Sequence, residues 1–130
     1  MPLMKIHVLK GRSTDEVERL LDTVHEAMLQ AFQVPERDLY QILNEHAASH
    51  FRALDTGLDI ARTDKFVMIE VVTRPRTRAE KMDFYERLCR LLSENYGVES
   101  SDVMVSIVQN TDEDWSFGLG RAQFVTGDLA

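Results

Sequence analysis

Cysteine is almost missing from this chain. Cys89 stands alone, so no disulfide can form within the chain, and stability must come from a hydrophobic core. Its neighbours Leu88, Leu91 and Leu92 mark it as a small buried helix residue rather than a reactive thiol. A basic excess is also missing. The net charge of −7 argues against a general nucleic-acid binder, which needs a basic surface, although a local basic cluster could still hold a small anion. No apolar run reaches the roughly 20 residues of a membrane helix. Lys5, His7 and Lys10 interrupt any secretory apolar segment at the start. A cytoplasmic protein is expected, with no membrane partner. Metal-ligand spacing is absent too: His46 and His50 are four apart in a predicted loop with no third ligand. His7 and His25 read as structural or exposed. Gly118-Leu119-Gly120 lacks the strand-to-helix setting of a phosphate loop. Neither a metal nor another cofactor is expected.

What is present is one domain. Its 130 residues, 44% apolar and 28% charged, are enough to bury a core. Leu3-Met4-Lys5-Ile6-His7-Val8-Leu9 reads as a buried strand. Ser13 and Glu16 have capping-box spacing, and Val17, Leu20, Leu21, Val24, Ala27, Met28 and Ala31 then make one helical face that ends near Phe32-Gln33, before Pro35. A strand follows from about Leu39 to Glu45. The segment from His46 to Asp64 is irregular, with turn composition at 55–59; its length marks it as a functional loop or a packed cover. Phe66–Thr73 is the strongest strand signal. Thr77 and Glu80 make a second capping box, and Met82, Tyr85, Leu88, Cys89, Leu92 and Tyr96 a second amphipathic helix capped by Gly97. Val103–Val108 is a fourth strand. Trp115-Ser116-Phe117 and Ala122–Val125 read as short extended pieces of a tail.

The halves repeat at an offset of 64 residues: Glu16 meets Glu80, Met4 meets Met68, Val8 meets Val72, Arg12 meets Arg76, Val34 meets Val98 and Asp38 meets Asp102. Repeat one spans about 2–46, repeat two about 66–110, and the tail 111–130. Each half reads strand, helix, strand, which returns its second strand parallel to the first. The fold class is therefore α+β: a four-stranded sheet with both helices on one face. The opposite face would be bare, and self-association is the natural remedy.

Several groups could carry chemistry. Pro2 follows the initiator, and cells usually remove Met1 before a small residue. That would leave a secondary amine fixed at the start of a buried strand, able to act as base, acid or nucleophile. If Met1 is retained, that nitrogen is an amide. Arg74 and Arg76, two apart at a strand end, could clamp a carboxylate. Arg76 beside a helix N-terminus is awkward as mere decoration, because a cation opposes the helix dipole. Asp38 opens a strand, where Asp is disfavoured, and either ends a turn or does work. Trp115 and Phe117 alternate and can face one side, as core, subunit contact or pocket. Asp112-Glu113-Asp114 reads as a solvated acidic turn.

Pro2, the doubled strand–helix–strand unit and Arg74-Pro75-Arg76 together resemble the tautomerase superfamily. Val34–Ile42, Asp55–Ile60, Thr73–Arg76, Asp114–Gly118 and Gly120–Phe124 are similar to its malonate semialdehyde decarboxylase branch, and the resemblance covers nearly the whole chain. It implies that Pro2 is the catalytic amine and Asp38 its acidic partner. It implies that Arg74 and Arg76 bind a small carboxylate substrate, and that Trp115, Phe117, Phe124 and Leu129 form an apolar wall. It implies a homotrimer and a decarboxylase of a small 3-oxo acid, with hydratase activity as a side reaction. The related dehalogenase branch relies on a tail glutamate to activate water, and no residue of Asp112-Glu113-Asp114-Trp115 is assigned to that role. The alternatives are a keto–enol tautomerase using Pro2 as base, and a non-catalytic trimeric binding protein if Met1 stays.

Overall fold

The computed structural model describes residues 1–130. Strand β1 (Leu3–Leu9) leads into helix α1 (Thr14–Phe32), then β2 (Tyr40–His46). The second unit is β3 (Val67–Thr73), α2 (Arg78–Tyr96) and β4 (Val103–Gln109), followed by a tail with one turn of helix, α3 (Gln123–Thr126). The sheet order is β2-β1-β3-β4. β1 runs parallel to β2 and β3 to β4, while the central pair β1 and β3 is antiparallel.

Alternation decides the faces. Met4, Ile6 and Val8 on β1, and Val67, Ile69 and Val71 on β3, are buried and meet the apolar stripes of both helices in one core. Leu20, Val24 and Met28 of α1 and Phe84, Leu88 and Leu92 of α2 supply the other layer. The rings of Phe32 and Phe84 lie 5.1 Å apart at the helix–helix seam. On the opposite face nothing covers Ile42, Met104 and Val108, which stay 47%, 41% and 60% exposed. The bare face expected from the sequence is present.

Both capping boxes form. The Glu16 backbone N–H donates to Ser13 Oγ at 3.2 Å, and that of Glu80 to Thr77 Oγ1 at 3.1 Å, with each glutamate accepting from its cap residue's backbone N–H in return. Ser13→Ala and Thr77→Ala should each lower unfolding free energy by about 1 kcal/mol. The double variant should lose about twice that in urea denaturation, because the two caps share no partner.

The repeat needs a correction. The helices and caps do match at 64 residues, as α1 and α2 show. The first strands do not. Met4 is buried, whereas Met68 is only partly buried and lies on the other face. The pairings Met4↔Gln41 and Ile69↔Val105 are equivalent, so Met4 corresponds to Ile69, 65 residues on. The extra residue sits in the turn Lys10-Gly11-Arg12, where Gly11 has φ +134°, a conformation that side-chain-bearing residues avoid. The likeness of Met4 to Met68 and of Val8 to Val72 is coincidence.

Other expectations shift by smaller amounts. The second strand is Tyr40–His46 rather than Leu39–Glu45, so His46 is a strand residue and not a loop residue. Residues 123–126 are helical, not extended. Asp112–Asp114 form a single 3-10 turn, exposed as expected. Cys89 is partly exposed rather than buried, yet burial of its surroundings raises the thiol above its ordinary pKa and keeps it protonated. The connector 47–66 is mostly irregular and is tied down: Asp55 accepts from the backbone of Gly57 and Ile60, and Arg62 donates to the carbonyl of Ser101. No helix is long and apolar enough to cross a membrane.

Candidate active site

Strand register builds the site. β1 pairs with β2 in the register Leu3↔Tyr40, so continuing two residues back sets Met1 beside Asp38. β1 pairs with β3 in the register Leu3↔Val72, which carries the end of β3, and with it Arg74-Pro75-Arg76, to the same edge. The first residues of the chain are thus bracketed by an acid on one side and two cations on the other.

Pro2 is buried at the start of β1. The Met1 amine forms an ion pair with Asp38, and both side chains are nearly covered, at 11% and 12% exposure. Asp38 closes a turn, its own backbone N–H donating to the Pro35 carbonyl at 2.9 Å. It therefore ends a turn and also faces an amine. Burial lowers the pKa of the Met1 amine below its ordinary 8.0; Asp38 opposes this, and the charges of Arg76 and Arg74 add to it.

The guanidiniums are held by aromatic rings. Arg76 lies 4.9 Å from the centre of the Phe32 ring, and its Nε donates to Thr73 Oγ1 at 3.1 Å. Arg74 lies 3.8 Å from the centre of Phe124 and donates to Asp112 Oδ1 at 3.0 Å. Burial lowers the proton affinity of Arg76, though a guanidinium stays charged in any working range. One nitrogen of each, Arg74 Nε and Arg76 Nη2, is buried without a hydrogen-bond partner. Unmet buried donors are costly and uncommon, and on two adjacent cations they are suited to a carboxylate.

The tail makes the wall. A cavity of about 360 Å³ opens beside Met1 and Asp38 and is lined by Tyr40, Phe117, Phe124 and Leu129, among others. Phe117 lies 5.7 Å from Tyr40 and 5.5 Å from Phe124, measured between ring centres. Trp115 is not on the cavity surface. It stacks behind Phe117 at 5.4 Å and 11°, with its Nε1 donating to Asn110 Oδ1 at 2.7 Å, so it braces the wall instead of forming it. Sequence reading missed Tyr40 and Arg37 as lining residues; that Tyr40 points away from the helices is set by strand parity, the one signal that could have found it. It also missed Asp112 as the partner of Arg74, which only chain return brings close. No group of three or more His, Cys, Asp or Glu is arranged to hold a metal.

Known proteins share this sequence and fold. A family model described as tautomerase enzyme matches residues 38–118, and a second of the same description matches residues 2–59. The probable tautomerase YrdN of Bacillus subtilis (strain 168) is 43% identical over 99% of this chain and 100% of its own length. A crystal structure of malonate semialdehyde decarboxylase, described as a basis for decarboxylase and hydratase activities, superposes with TM-score 0.97 at 41% identity, covering 98% of this chain and 99% of that one. A fused 4-OT symmetric trimer shares the fold at TM-score 0.77 and 22% identity, over 96% of this chain and 98% of its own.

Proposed function

The chain belongs to the tautomerase superfamily, and from that premise we propose that it decarboxylates a small 3-oxo acid, malonate semialdehyde, using the amine of Pro2 after Met1 is removed. The observation that carries the proposal is a chain-terminal amine paired with Asp38 at an apolar cavity, with Arg74 packed on Phe124 of the cavity wall, Arg76 near enough to act on the amine by its charge, and a buried donor unmet on each guanidinium. Similarity to malonate semialdehyde decarboxylase over 98% of the chain supports it. Removal of Met1 clears a residue that now lines the cavity and leaves the nitrogen of Pro2 as a free secondary amine.

Each group then has a role. Arg74 and Arg76 hold the substrate carboxylate and orient the bond that breaks. As that carbon–carbon bond opens, carbon dioxide leaves and the electron pair passes into the carbonyl to give an enolate. The Pro2 ammonium donates a hydrogen bond to the enolate oxygen and then a proton to carbon, giving acetaldehyde. Solvent reprotonates the amine. Asp38 holds the ammonium by charge and is placed to position water in a hydratase side reaction. Phe117, Phe124 and Leu129, backed by Trp115, keep the site poor in water. The bare outer face, with Ile42, Met104 and Val108, would be closed in a homotrimer.

The assay is malonate semialdehyde turnover by protein whose intact mass lacks one methionine, read as acetaldehyde and carbon dioxide. Turnover is expected; none from Met1-free protein would sink this substrate.

A second reading, keto–enol tautomerisation with neutral Pro2 as base, has one observation in its favour: burial, with the charges of the two arginines, lowers the pKa of the Met1 amine, the residue directly ahead of Pro2. The pH profile separates the two. A lowered amine pKa makes the neutral form dominant from a lower pH than for an ordinary terminal amine. Base catalysis with a phenylpyruvate-type enol should rise as pH increases through the amine pKa, and decarboxylation, which needs the ammonium, should fall through the same value.

A further inference from the structure

The pseudo-symmetry of the chain produces a second pocket. Helix α2 and its cap follow α1 and its cap at 64 residues, so Arg76 and Phe32 at the candidate site have Arg12 and Tyr96 as counterparts at the far end of the sheet. Both pairs make the same contact: the guanidinium of Arg76 lies 4.9 Å from the Phe32 ring centre, and that of Arg12 lies 5.9 Å from the Tyr96 ring centre. Here a cavity of about 210 Å³ opens, lined by Lys10, Arg12, Lys65 and Tyr96 together with Glu16 and Asp64.

The charges in this cavity favour an anion. Lys10, Arg12 and Lys65 outnumber the two carboxylates, Glu16 and Asp64, and Glu16 already accepts from the Ser13 backbone N–H in the capping box. Arg12 uses Nη2 on the Lys65 carbonyl at 2.8 Å, and this fixes the guanidinium over the pocket. The change from Phe32 to its counterpart Tyr96 adds a hydroxyl, which is buried beside the Arg12 guanidinium and has no acceptor for its own proton. Burial raises its pKa, so it stays a donor.

The chemistry is missing from this second site. At the position matching Met1 stands Phe66, whose nitrogen is an ordinary amide donating to the Thr63 carbonyl at 3.2 Å. Asp102, the counterpart of Asp38, is buried and accepts from both the backbone and the hydroxyl of Thr63. An anion held here would find neither a chain-terminal amine nor a free carboxylate in the place that Asp38 takes at the first site.

We propose that this pocket is a non-catalytic binding site for a small carboxylate, held by Arg12, Lys10, Lys65 and the Tyr96 hydroxyl. It does not depend on which reaction the first site runs. The test is an amide NMR titration of the whole protein with sodium malonate at constant ionic strength. Two separate groups of amides should shift and saturate: one around Arg74 and Arg76, and one around Gly11, Arg12, Lys65 and Tyr96. Arg12→Ala should weaken the second response at least tenfold and leave the first within twofold. Tyr96→Phe, which keeps the ring and its packing, should weaken the second about threefold. Should Arg12→Ala fail to fold, the exposed Lys10→Ala serves in its place, with about threefold weakening expected. A second group of amides that stays still, or moves equally in the wild type and in these variants, overturns the proposal.

Discussion

Pro2→Ala protein, shown by intact mass to lack Met1, is expected to lose malonate semialdehyde turnover by about 10²–10⁴-fold, the usual contribution of one positioned acid or base. The substitution keeps a terminal amine but makes it primary, and it removes the ring carbons that pack around the nitrogen and hold it in place. Both changes disturb the proton donor. Neither touches the main core, since Met4, Ile6 and Val8 begin two residues further on and face the helices. The midpoint of thermal unfolding should therefore move by no more than a few degrees. Loss of rate at unchanged stability would place the amine in the chemistry. Retained rate would remove Pro2 from the mechanism.

Arg76→Ala should cost about 10²–10³-fold in kcat/KM. A charge-assisted hydrogen bond contributes about 1.5–3 kcal/mol, and a guanidinium can offer two to one carboxylate. If Arg76 binds ground state and transition state alike, the loss falls on KM; if it orients the breaking bond, kcat falls as well. Arg76→Lys keeps the charge without the fork and should recover only part of the loss. Arg76 also has structural partners: its Nε donates to the hydroxyl of Thr73, which is fully buried, and its guanidinium covers Phe32. Some stability will be lost with the side chain, so urea denaturation has to accompany the kinetics. The lysine variant, which retains the aliphatic stem, separates the two effects.

Much of the site was legible because its parts are local. A capping box is four residues long, and Ser13–Glu16 and Thr77–Glu80 could be read without any tertiary information. The apolar, β-branched runs at 3–9 and 66–73 marked both central strands. Pro2 and the Arg74-Pro75-Arg76 run were visible as residue types at element ends. The 64-residue echo announced two equivalent units, although identical letters at Met4 and Met68 concealed a one-residue slip, because the eye matches residues where the sheet matches faces.

Other features needed the chain to close on itself. That Asp38 meets the first residue follows from the β1–β2 register, and register is fixed by which side chains reach the core, a long-range property. The tail was misread as extended because four residues at 123–126 have too little pattern to choose between helix and strand. Only packing against Arg74 and Phe117 gives Phe124 its place. The family resemblance put Trp115 on the wall with Phe117, but its indole N–H turns to Asn110, which sets it behind the ring that faces the cavity.

By itself the sequence determined the two long helices, the four strands, the two-fold repeat and the absence of disulfides within the chain, because each rests on local propensity or on covalent chemistry. The tertiary structure alone decided that these groups meet, which guanidinium nitrogens stay unpaired, and that a second basic pocket lies at the other end of the sheet. Those outcomes depend on strand register and on the path of the returning tail, and both are set by packing between residues far apart in the chain.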